Sequence, residues 1–287
     1  MAVVIDAGAD ALQPAAAPSS HPEGLVRPRL VGHVRRDLPN VLRVVVPATL
    51  LLAWWWGSRA GWLEPSVLAP PGKVWDAFRD LAEGNLVEHL RTSLGRSLRG
   101  AAIGVSVGLA LGLLSGLSRL GEQLVDATLQ MLRTIPFLAL VPLFIVWLGI
   151  GETPKVLLIA LATLFPMYIN TANGVLNVDR KVVEAMRTYG LSGVRLAREV
   201  ILPLALPSIL TGLRFSLGVS VLALLAAEQI NASTGLGALL YQAQTYQRVD
   251  VLMVIVVIYA LLGLLADGIV RVLERVTMPW RRGVAQR

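Results

Sequence analysis

The sequence lacks cysteine altogether and has few charged residues. No cysteine occurs in the 287 residues, which excludes a disulfide framework, a thiolate nucleophile and a Cys-ligated zinc site. Charged residues make up 16% of the chain, well below the roughly one quarter that soluble domains carry. The three histidines, His21, His33 and His89, form no pair with metal-ligand spacing. The sequence therefore predicts neither a metal site nor an ordinary soluble domain.

A nucleotide-binding loop is also missing, because no G-x-x-x-x-G-K-[ST] motif occurs. Apolar blocks contain no pair of carboxylates that would suggest a protease or a proton relay. We therefore expect no enzyme chemistry and no cofactor within this chain. The formal net charge of +7 would suit nucleic acid in a soluble chain. In a membrane chain it is the Lys/Arg excess of cytosolic loops, so no nucleic-acid partner is predicted.

Long apolar blocks are what the chain does contain. Hydrophobic residues make up 55% of the sequence, and the mean hydropathy is +0.64. A membrane-spanning helix needs about 20 apolar residues. Blocks close to this length lie at 42–57, 98–117, 124–149, 155–176, 206–227 and 249–272. The pattern predicts an all-α polytopic membrane protein with six transmembrane helices.

The segments outside the blocks suggest four parts in the chain. Residues 1–41 are rich in Ala, Pro, Ser and Gly and lack an apolar run of signal-peptide length, which predicts a disordered cytosolic tail. Residues 42–84 hold the first span and an external segment, residues 85–280 form the core transmembrane domain, and residues 281–287 are a cytosolic tail.

The distribution of basic residues predicts the orientation in the membrane. With the N-terminus inside, sixteen Lys and Arg residues fall on the cytosolic side and at most eight on the outside. Cytosolic loops carry such an excess of positive charge. Both termini are therefore expected in the cytoplasm.

Glycine recurs every fourth residue in the second apolar block, at positions 100, 104, 108, 112 and 116. This spacing places the glycines along one slowly winding face of a helix. Such a face lets a second helix approach closely in the membrane. Two interpretations stay open, static packing against a neighbour or a surface that slides during transport.

A charged stretch, EAMRTYGLSGVRLAREVILP, lies between two apolar blocks at 184–203. Asn177 or Asp179 can cap a helix over 180–190, and Gly190 is a typical stop. A second short helix is predicted over 192–201. Pro203 and Pro207 then predict a turn into the next span.

The spacing within this stretch resembles the cytosolic loop of ABC importer permeases. That family has Glu-Ala-Ala, three residues, Gly, nine residues and Ile-x-Leu-Pro. Here Met186 replaces the second alanine and Val200 replaces the isoleucine. The segments RTIPFLALVPLFIVWLGIGETPK (133–155) and AAEQINASTGLGALL (226–240) are similar to the nitrate/sulfonate/taurine/bicarbonate branch. The likeness covers about residues 85–280.

The resemblance implies a type I ABC importer permease fold in a bacterial inner membrane, with a coupling helix at about 180–194 that docks on a separate ATPase. The expected coupling residues are Glu184, Ala185, Met186, Gly190, Leu202 and Pro203. It also implies a homodimer with two ATPase subunits, which bind ATP and Mg, and an external substrate-binding protein.

The implied activity is ATP-driven uptake of a small anion, preferably an aliphatic sulfonate, by alternating access. Nitrate, bicarbonate, taurine or a neutral nutrient remain open as substrates. A secondary transporter driven by an ion gradient would need paired intramembrane acids and often an internal repeat, and the sequence shows neither. A membrane enzyme or a scaffold is a third class, which a copurifying ATPase would exclude.

Charged residues and a proline in or beside the apolar blocks are the candidates for a translocation path, since burial in the membrane is unfavourable for charge. Guanidinium groups bind sulfonate or carboxylate oxygens in a fork. The alternative for each charge is pairing with a neighbour or snorkelling. The candidates are Arg96, Arg133, Pro136, Arg214 and Glu228.

Overall fold

A computed structural model describes residues 40–279 of the chain. Apart from residues 40–47, the described residues belong to one compact unit, which begins at Ala48. Within the described residues every regular element is helical. Most of the predicted N-terminal tail and the predicted C-terminal tail, residues 281–287, lie outside this range.

The described residues form ten helices. In order they are α1 Asn40–Arg59, α2 Pro71–Glu83, α3 Leu86–Leu117, α4 Arg119–Leu132, α5 Phe137–Leu148, α6 Glu152–Leu176, α7 Arg180–Thr188, α8 Gly193–Gln229, α9 Leu236–Thr245 and α10 Val249–Thr277. Two of them include a wider π-helical turn, at Glu122–Asp126 in α4 and at Ala197–Ile201 in α8.

Four helices, α3, α6, α8 and α10, are long and apolar enough to cross a membrane. The pair α4 and α5 passes the same test together and gives a fifth span. The described part of the chain therefore supplies four or five spans, where the sequence predicted six. The first predicted span, 42–57, forms α1, which is not among the candidates, so its crossing of the membrane stays a prediction.

The predicted span over 124–149 is not one straight helix. Helices α4 and α5 meet at an angle of 72°, and Arg133 lies in the break between them rather than inside a continuous helix. Pro136 has an extended backbone there, with ψ 116°, and a proline has no N–H to continue the preceding helix. The structure therefore has a bend at Pro136, within the segment that the sequence predicted as one span.

The glycine face of α3 packs directly against α6. A Cβ atom on any of the five glycines would lie within 3.0 Å of an α6 atom, so only glycine fits at this crossing. Gly100 faces Ile159, Gly104 faces Ala160 and Thr163, Gly108 faces Leu164, Gly112 faces Thr171, and Gly116 faces Val175. Because the numbers rise together, α3 and α6 run parallel and in close contact along the whole glycine face.

The predicted turn before span five is also absent. Helix α8 runs without interruption for 37 residues, from Gly193 to Gln229, and Pro203 and Pro207 lie inside it. Prolines usually break a helix because they lack a donor and clash with the preceding turn. Here a π-helical turn over Ala197–Ile201 ends two residues before Pro203, and such a turn adjusts the hydrogen-bond ladder around the donor that Pro203 lacks.

Helices α2 and α9 cover the first turns of α10. A buried apolar cluster joins Ala77 of α2, Leu236 and Leu240 of α9, and Val251 and Ile255 of α10. This end of the bundle also holds the starts of α3 and α6, and it lies opposite α7, which follows the other end of α6. The bundle therefore has two distinct ends, one with the short helix α7 and the other with the starts of α3, α6 and α10.

Candidate functional site

The charged segment between α6 and α8 forms the short helix α7. The Asp179 side chain accepts a hydrogen bond from the backbone N–H of Lys181 at 2.9 Å and caps the helix. Gly190 follows its end with φ +87°, a left-handed conformation that favours glycine. The predicted cap at Asp179 and the stop at Gly190 are both confirmed.

No residue of α7 is buried. Glu184 and Ala185 are exposed and Met186 is half-buried. Tyr189 is 81% exposed, and Val194, at the start of α8, is similarly open. Exposed apolar side chains therefore lie beside this charged helix.

The predicted coupling motif is divided between two helices. Glu184, Ala185 and Met186 belong to α7, whereas Leu202 and Pro203 belong to the long helix α8. The turn between the two helices contains Gly190. This turn therefore connects α7 directly to α8, a helix that is long and apolar enough to cross a membrane.

A buried polar network occupies the opposite end of the bundle. Glu228 of α8 is 0% exposed, and its Oε1 accepts a hydrogen bond from Nη1 of Arg96 at 2.7 Å. Ser93 donates to the same carboxylate at 2.8 Å, and the backbone N–H of Gly237 donates to Oε2 at 2.9 Å. Several donors thus offset the unfavourable burial of this negative charge.

Arg96 carries a second carboxylate partner at the start of α6. Its Nε and Nη2 donate to the two oxygens of Glu152 at 2.6 Å each, and Nη1 also donates to the Thr234 carbonyl oxygen. Glu152 is 48% exposed and also pairs with Lys155 at 3.3 Å. The arginine therefore bridges a fully buried carboxylate and a half-exposed one.

The network also fixes the first turn of α9. The Ser93 hydroxyl accepts a hydrogen bond from the Leu236 N–H at 2.8 Å, and Nδ1 of His89 accepts one from the Gly235 N–H at 2.9 Å. The Glu228 carboxylate also lies where a side chain on Gly235 would be. Helix N-termini attract negative charge, and here the chain's own carboxylate fills that position.

Arg214 joins α8 to α10 nearer the α7 end. Its Nη2 donates to Glu274 at 3.0 Å, and its Nε lies 3.1 Å from Oδ1 of Asp267 without the alignment of a hydrogen bond. Asp267 in turn pairs with Arg271 at 2.6 Å. Arg214 thus has the carboxylate neighbours that the pairing interpretation requires.

Arg133 remains separate from the other candidates. It is exposed, and its Nη2 donates to Oε1 of Gln130 at 3.4 Å. It lines a cavity of about 200 Å³, in which the hydroxyl of the buried Tyr168 donates to Asp126 at 3.0 Å and lies 3.2 Å from Oγ of Ser115. Arg96 and Glu228 are therefore brought together, while Arg133 and Arg214 are not.

Several members of the buried network were not singled out in the sequence. Ser93, Glu152 and Gly237 have no unusual local signal, and His89 was noted only as an isolated histidine. Their contacts with Arg96, Glu228 and Gly235 join residues 9 to 146 positions apart.

Residues 104–278, more than half of the chain, match the family described as binding-protein-dependent transport system inner membrane component. The chain belongs to this family. It is a permease subunit of an ABC transporter in the inner membrane, and the subunit itself is not an enzyme. The family depends on a binding protein, in agreement with the expected partner outside the membrane.

Curated relatives place the permease in the sulfonate and taurine branch. It is 48% identical to the Escherichia coli permease protein SsuC, named for aliphatic sulfonates transport, over 86% of this chain and 94% of the relative. The Bacillus subtilis protein of the same name is 39% identical over 83% of this chain and 87% of the relative. The Escherichia coli taurine transport system permease protein TauC is 35% identical over 81% and 87%.

Solved structures confirm the type I importer permease fold. An inward-facing MetNI methionine ABC transporter aligns with a TM-score of 0.53 and 23% identity, covering 65% of this chain and 95% of the other. An amino acid ABC transporter with histidines aligns with a TM-score of 0.55 and 21% identity, covering 66% of this chain and 92% of the other. At these identities the likeness concerns the fold alone.

Proposed function

We propose that this permease moves an aliphatic sulfonate into the cytoplasm as part of an ATP-driven importer. The observation that carries the proposal is the 48% identity to a permease named for aliphatic sulfonates, which extends over 86% of the chain. The second candidate is taurine, because a taurine permease is 35% identical. Both candidates share a sulfonate group, and nitrate, bicarbonate and neutral nutrients are less well supported.

The proposed assembly has two copies of this chain, two ATPase subunits and one external binding protein, with both termini of each permease in the cytoplasm. The absence of a nucleotide loop in the sequence supports separate ATPase chains that bind ATP and Mg. The sixteen-to-eight excess of basic residues supports the orientation. In this orientation α7 faces the cytoplasm and the Arg96–Glu228 network faces outside.

Helix α7 is the proposed coupling helix. None of its residues is buried, it carries Glu184, Ala185 and Met186, and it ends at a glycine turn. Leu202 and Pro203 follow on α8, where they transmit movement of α7 along a helix of 37 residues. Docking on an ATPase would cover the apolar side chains that the isolated chain leaves exposed.

The candidate path residues have two proposed roles. Arg133 and Pro136 lie at the break between α4 and α5, beside a polar cavity, and we assign them direct contact with the passing anion. Arg96, Arg214 and Glu228 are held in ion pairs, and they shape the walls instead. Arg133→Gln should then lower sulfonate uptake while ATPase binding persists, and unchanged uptake would remove Arg133 from the path.

A binding titration on the cognate external protein tests the substrate class most simply. We expect saturable binding of ethanesulfonate or taurine and no competition by nitrate, bicarbonate or a neutral sugar. The measurement is isothermal calorimetry with the purified binding protein, followed by its stimulation of ATP hydrolysis by the assembled transporter. Binding of nitrate or bicarbonate in place of both sulfonates would reject the sulfonate proposal and leave the permease fold unaffected.

A further inference from the structure

A groove between α3 and α6 has a positive end and an apolar floor. Its volume is about 490 Å³, within the size range of ligand pockets. The lining residues are Arg99, Ala102, Ile103, Glu152, Thr153, Val156 and Leu157. Three of these are polar or charged and four are apolar, and the two kinds separate along the helices.

The separation follows from the parallel arrangement of α3 and α6. Arg99 precedes Ala102 and Ile103 by about one helical turn, and Thr153 precedes Val156 and Leu157 by the same spacing. The polar side chains therefore lie together at the end of the groove nearer the helix starts. The apolar side chains lie together one turn deeper. An occupant that matches this groove has a polar head and an apolar tail.

The guanidinium of Arg99 is available to such a head. Its Nε donates to the Gly95 carbonyl oxygen at 2.9 Å, which turns the side chain back towards the start of α3. In the part of the chain that the structure describes, its two terminal nitrogens have no hydrogen-bond or ion-pair partner. Guanidinium groups with free donors bind phosphate and sulfonate oxygens.

The surrounding charges favour an anion in this position. Arg96, Arg99 and Lys155 supply three positive charges near the groove, and Glu152 and Glu228 supply two negative ones. Glu152 is already bonded to Arg96 and Lys155, so it does not neutralise Arg99. The net charge of these five groups is +1. Of the three positive charges, the one without an ion-pair partner among the described residues is that of Arg99, which lines the groove.

The depth of Arg99 in the membrane indicates which kind of anion would bind to it. Residues 100–117 of α3 contain no charged side chain, and eighteen helical residues extend about 27 Å, close to the roughly 30 Å hydrocarbon thickness of a bilayer. Arg99 therefore lies where hydrocarbon gives way to headgroups. Ile103 and Leu157 are exposed to the medium beside the bundle, which in a membrane is lipid.

We propose that this groove binds one phospholipid of the surrounding leaflet. A phosphate oxygen of the headgroup accepts hydrogen bonds from Arg99, and an acyl chain lies along Ala102, Ile103 and Val156. An anionic headgroup is preferred because of the extra positive charge. The proposal rests on the membrane location and the groove, and it does not depend on which solute the permease transports.

The test uses the full transporter, purified with its partner subunits, delipidated and exposed to defined lipid. Native mass spectrometry counts the phosphatidylglycerol or phosphatidylcholine molecules retained per permease chain. We expect one phosphatidylglycerol per chain, retained about tenfold more tightly than phosphatidylcholine, and about tenfold weaker retention in Arg99→Gln. The matched control, Arg91→Gln, changes an exposed arginine on the same helix outside the groove and should bind like wild type.

A second pair of variants tests the apolar part without changing charge. Ala102→Leu fills the groove and should also weaken phosphatidylglycerol retention, whereas Ala110→Leu, at another exposed alanine of α3, should not. A further arm adds 1-octanesulfonate, which has the same kind of head and tail as a transported sulfonate. Displacement of the lipid by octanesulfonate, at the concentrations at which a sulfonate substrate is transported, would make the groove a sulfonate site and overturn the proposal. Equal retention in Arg99→Gln and wild type, or equal losses in Arg99→Gln and Arg91→Gln, would overturn it as well.

Discussion

Glu228 shows how a single buried charge is held in this membrane protein. Its carboxylate receives hydrogen bonds from Ser93, Arg96 and Gly237, which lie on two other helices. Removing one member of a buried ion pair leaves the other charge without compensation, whereas a half-exposed pair is solvated when it breaks. The two carboxylates bound to Arg96 should therefore differ in their effect on stability.

Glu228→Gln should lower the free energy of unfolding by about 3 kcal/mol, because a buried arginine loses its enclosed partner. Glu152→Gln is the matched control, since it removes a carboxylate from the same arginine at a half-exposed position. It should cost about 1 kcal/mol or less. Unfolding of the purified permease in detergent, followed by circular dichroism against denaturant, measures both. Equal losses for the two variants would contradict the division of Arg96 between a buried and an exposed partner.

Sequence reasoning at this scale identified the charges and not their partners. Arg96 and Glu228 stand out because they lie in or beside apolar blocks, where charge is unfavourable. They are 132 residues apart in the chain, and one sequence carries no sign that such positions meet. Ser93 is an ordinary helix residue until the fold places it between Glu228 and the start of α9.

At the scale of helices, local signals were reliable wherever the local backbone decided the outcome. An aspartate cap and a glycine stop defined α7 correctly, because both act within one turn. Regular glycine spacing indicated the packing face of α3 without naming α6 as the partner. The prolines of α8 were misleading, because the helix continues through both of them, with a π-helical turn shortly before Pro203.

The α3–α6 crossing gives a prediction at this scale. Gly104→Val should prevent the close approach of the two helices, because a Cβ there would overlap Ala160 and Thr163. We expect a yield of folded, monodisperse permease several-fold below wild type, measured by fluorescence-detected size exclusion. Gly263→Val is the control, since a Cβ on this α10 glycine meets nothing within 4 Å. A normal profile for Gly104→Val would show that the crossing tolerates separation.

The coupling proposal gives a second prediction at the scale of helices. Glu184→Arg should reduce copurification of the ATPase and abolish substrate-stimulated hydrolysis, while the amount of permease in the membrane is unchanged. Gly190→Pro should act in the same way, because proline cannot adopt φ +87°. Glu88→Arg makes the same charge reversal on an exposed residue at the opposite end and should leave coupling intact. Full retention of ATPase binding and stimulation in both α7 variants would exclude α7 as the docking helix.

At the scale of the whole molecule, the absence of cysteine makes the orientation directly testable. A single cysteine at Arg187, on α7, should react with a membrane-impermeant maleimide only when the cytosolic side is exposed. One at Lys73, on α2, should react only from outside. Labelling of intact and inverted membrane vesicles measures both. The reverse pattern would place both termini outside and would exclude α7 as a contact for a cytosolic ATPase.

The overall architecture was more predictable than its details. Apolar block length and the coupling motif together indicated a membrane permease, because bilayer thickness and partner docking each constrain a long stretch of sequence. The break between α4 and α5, the early start of α3 at Leu86 and the unbroken α8 depend on tertiary packing. No local pattern in the sequence of this chain identifies the substrate.

The measurement that tests the central claim most directly is ATP-driven uptake by the purified assembly in proteoliposomes. The vesicles contain this permease, its ATPase and its binding protein, with ATP and Mg on the ATPase side and labelled ethanesulfonate or taurine on the other. The account predicts that sulfonate accumulates only when ATP and the binding protein are both present, and that Gly190→Pro abolishes accumulation. Accumulation driven by an ion gradient without ATP, or ATP-driven uptake of nitrate or bicarbonate but neither sulfonate, would contradict it.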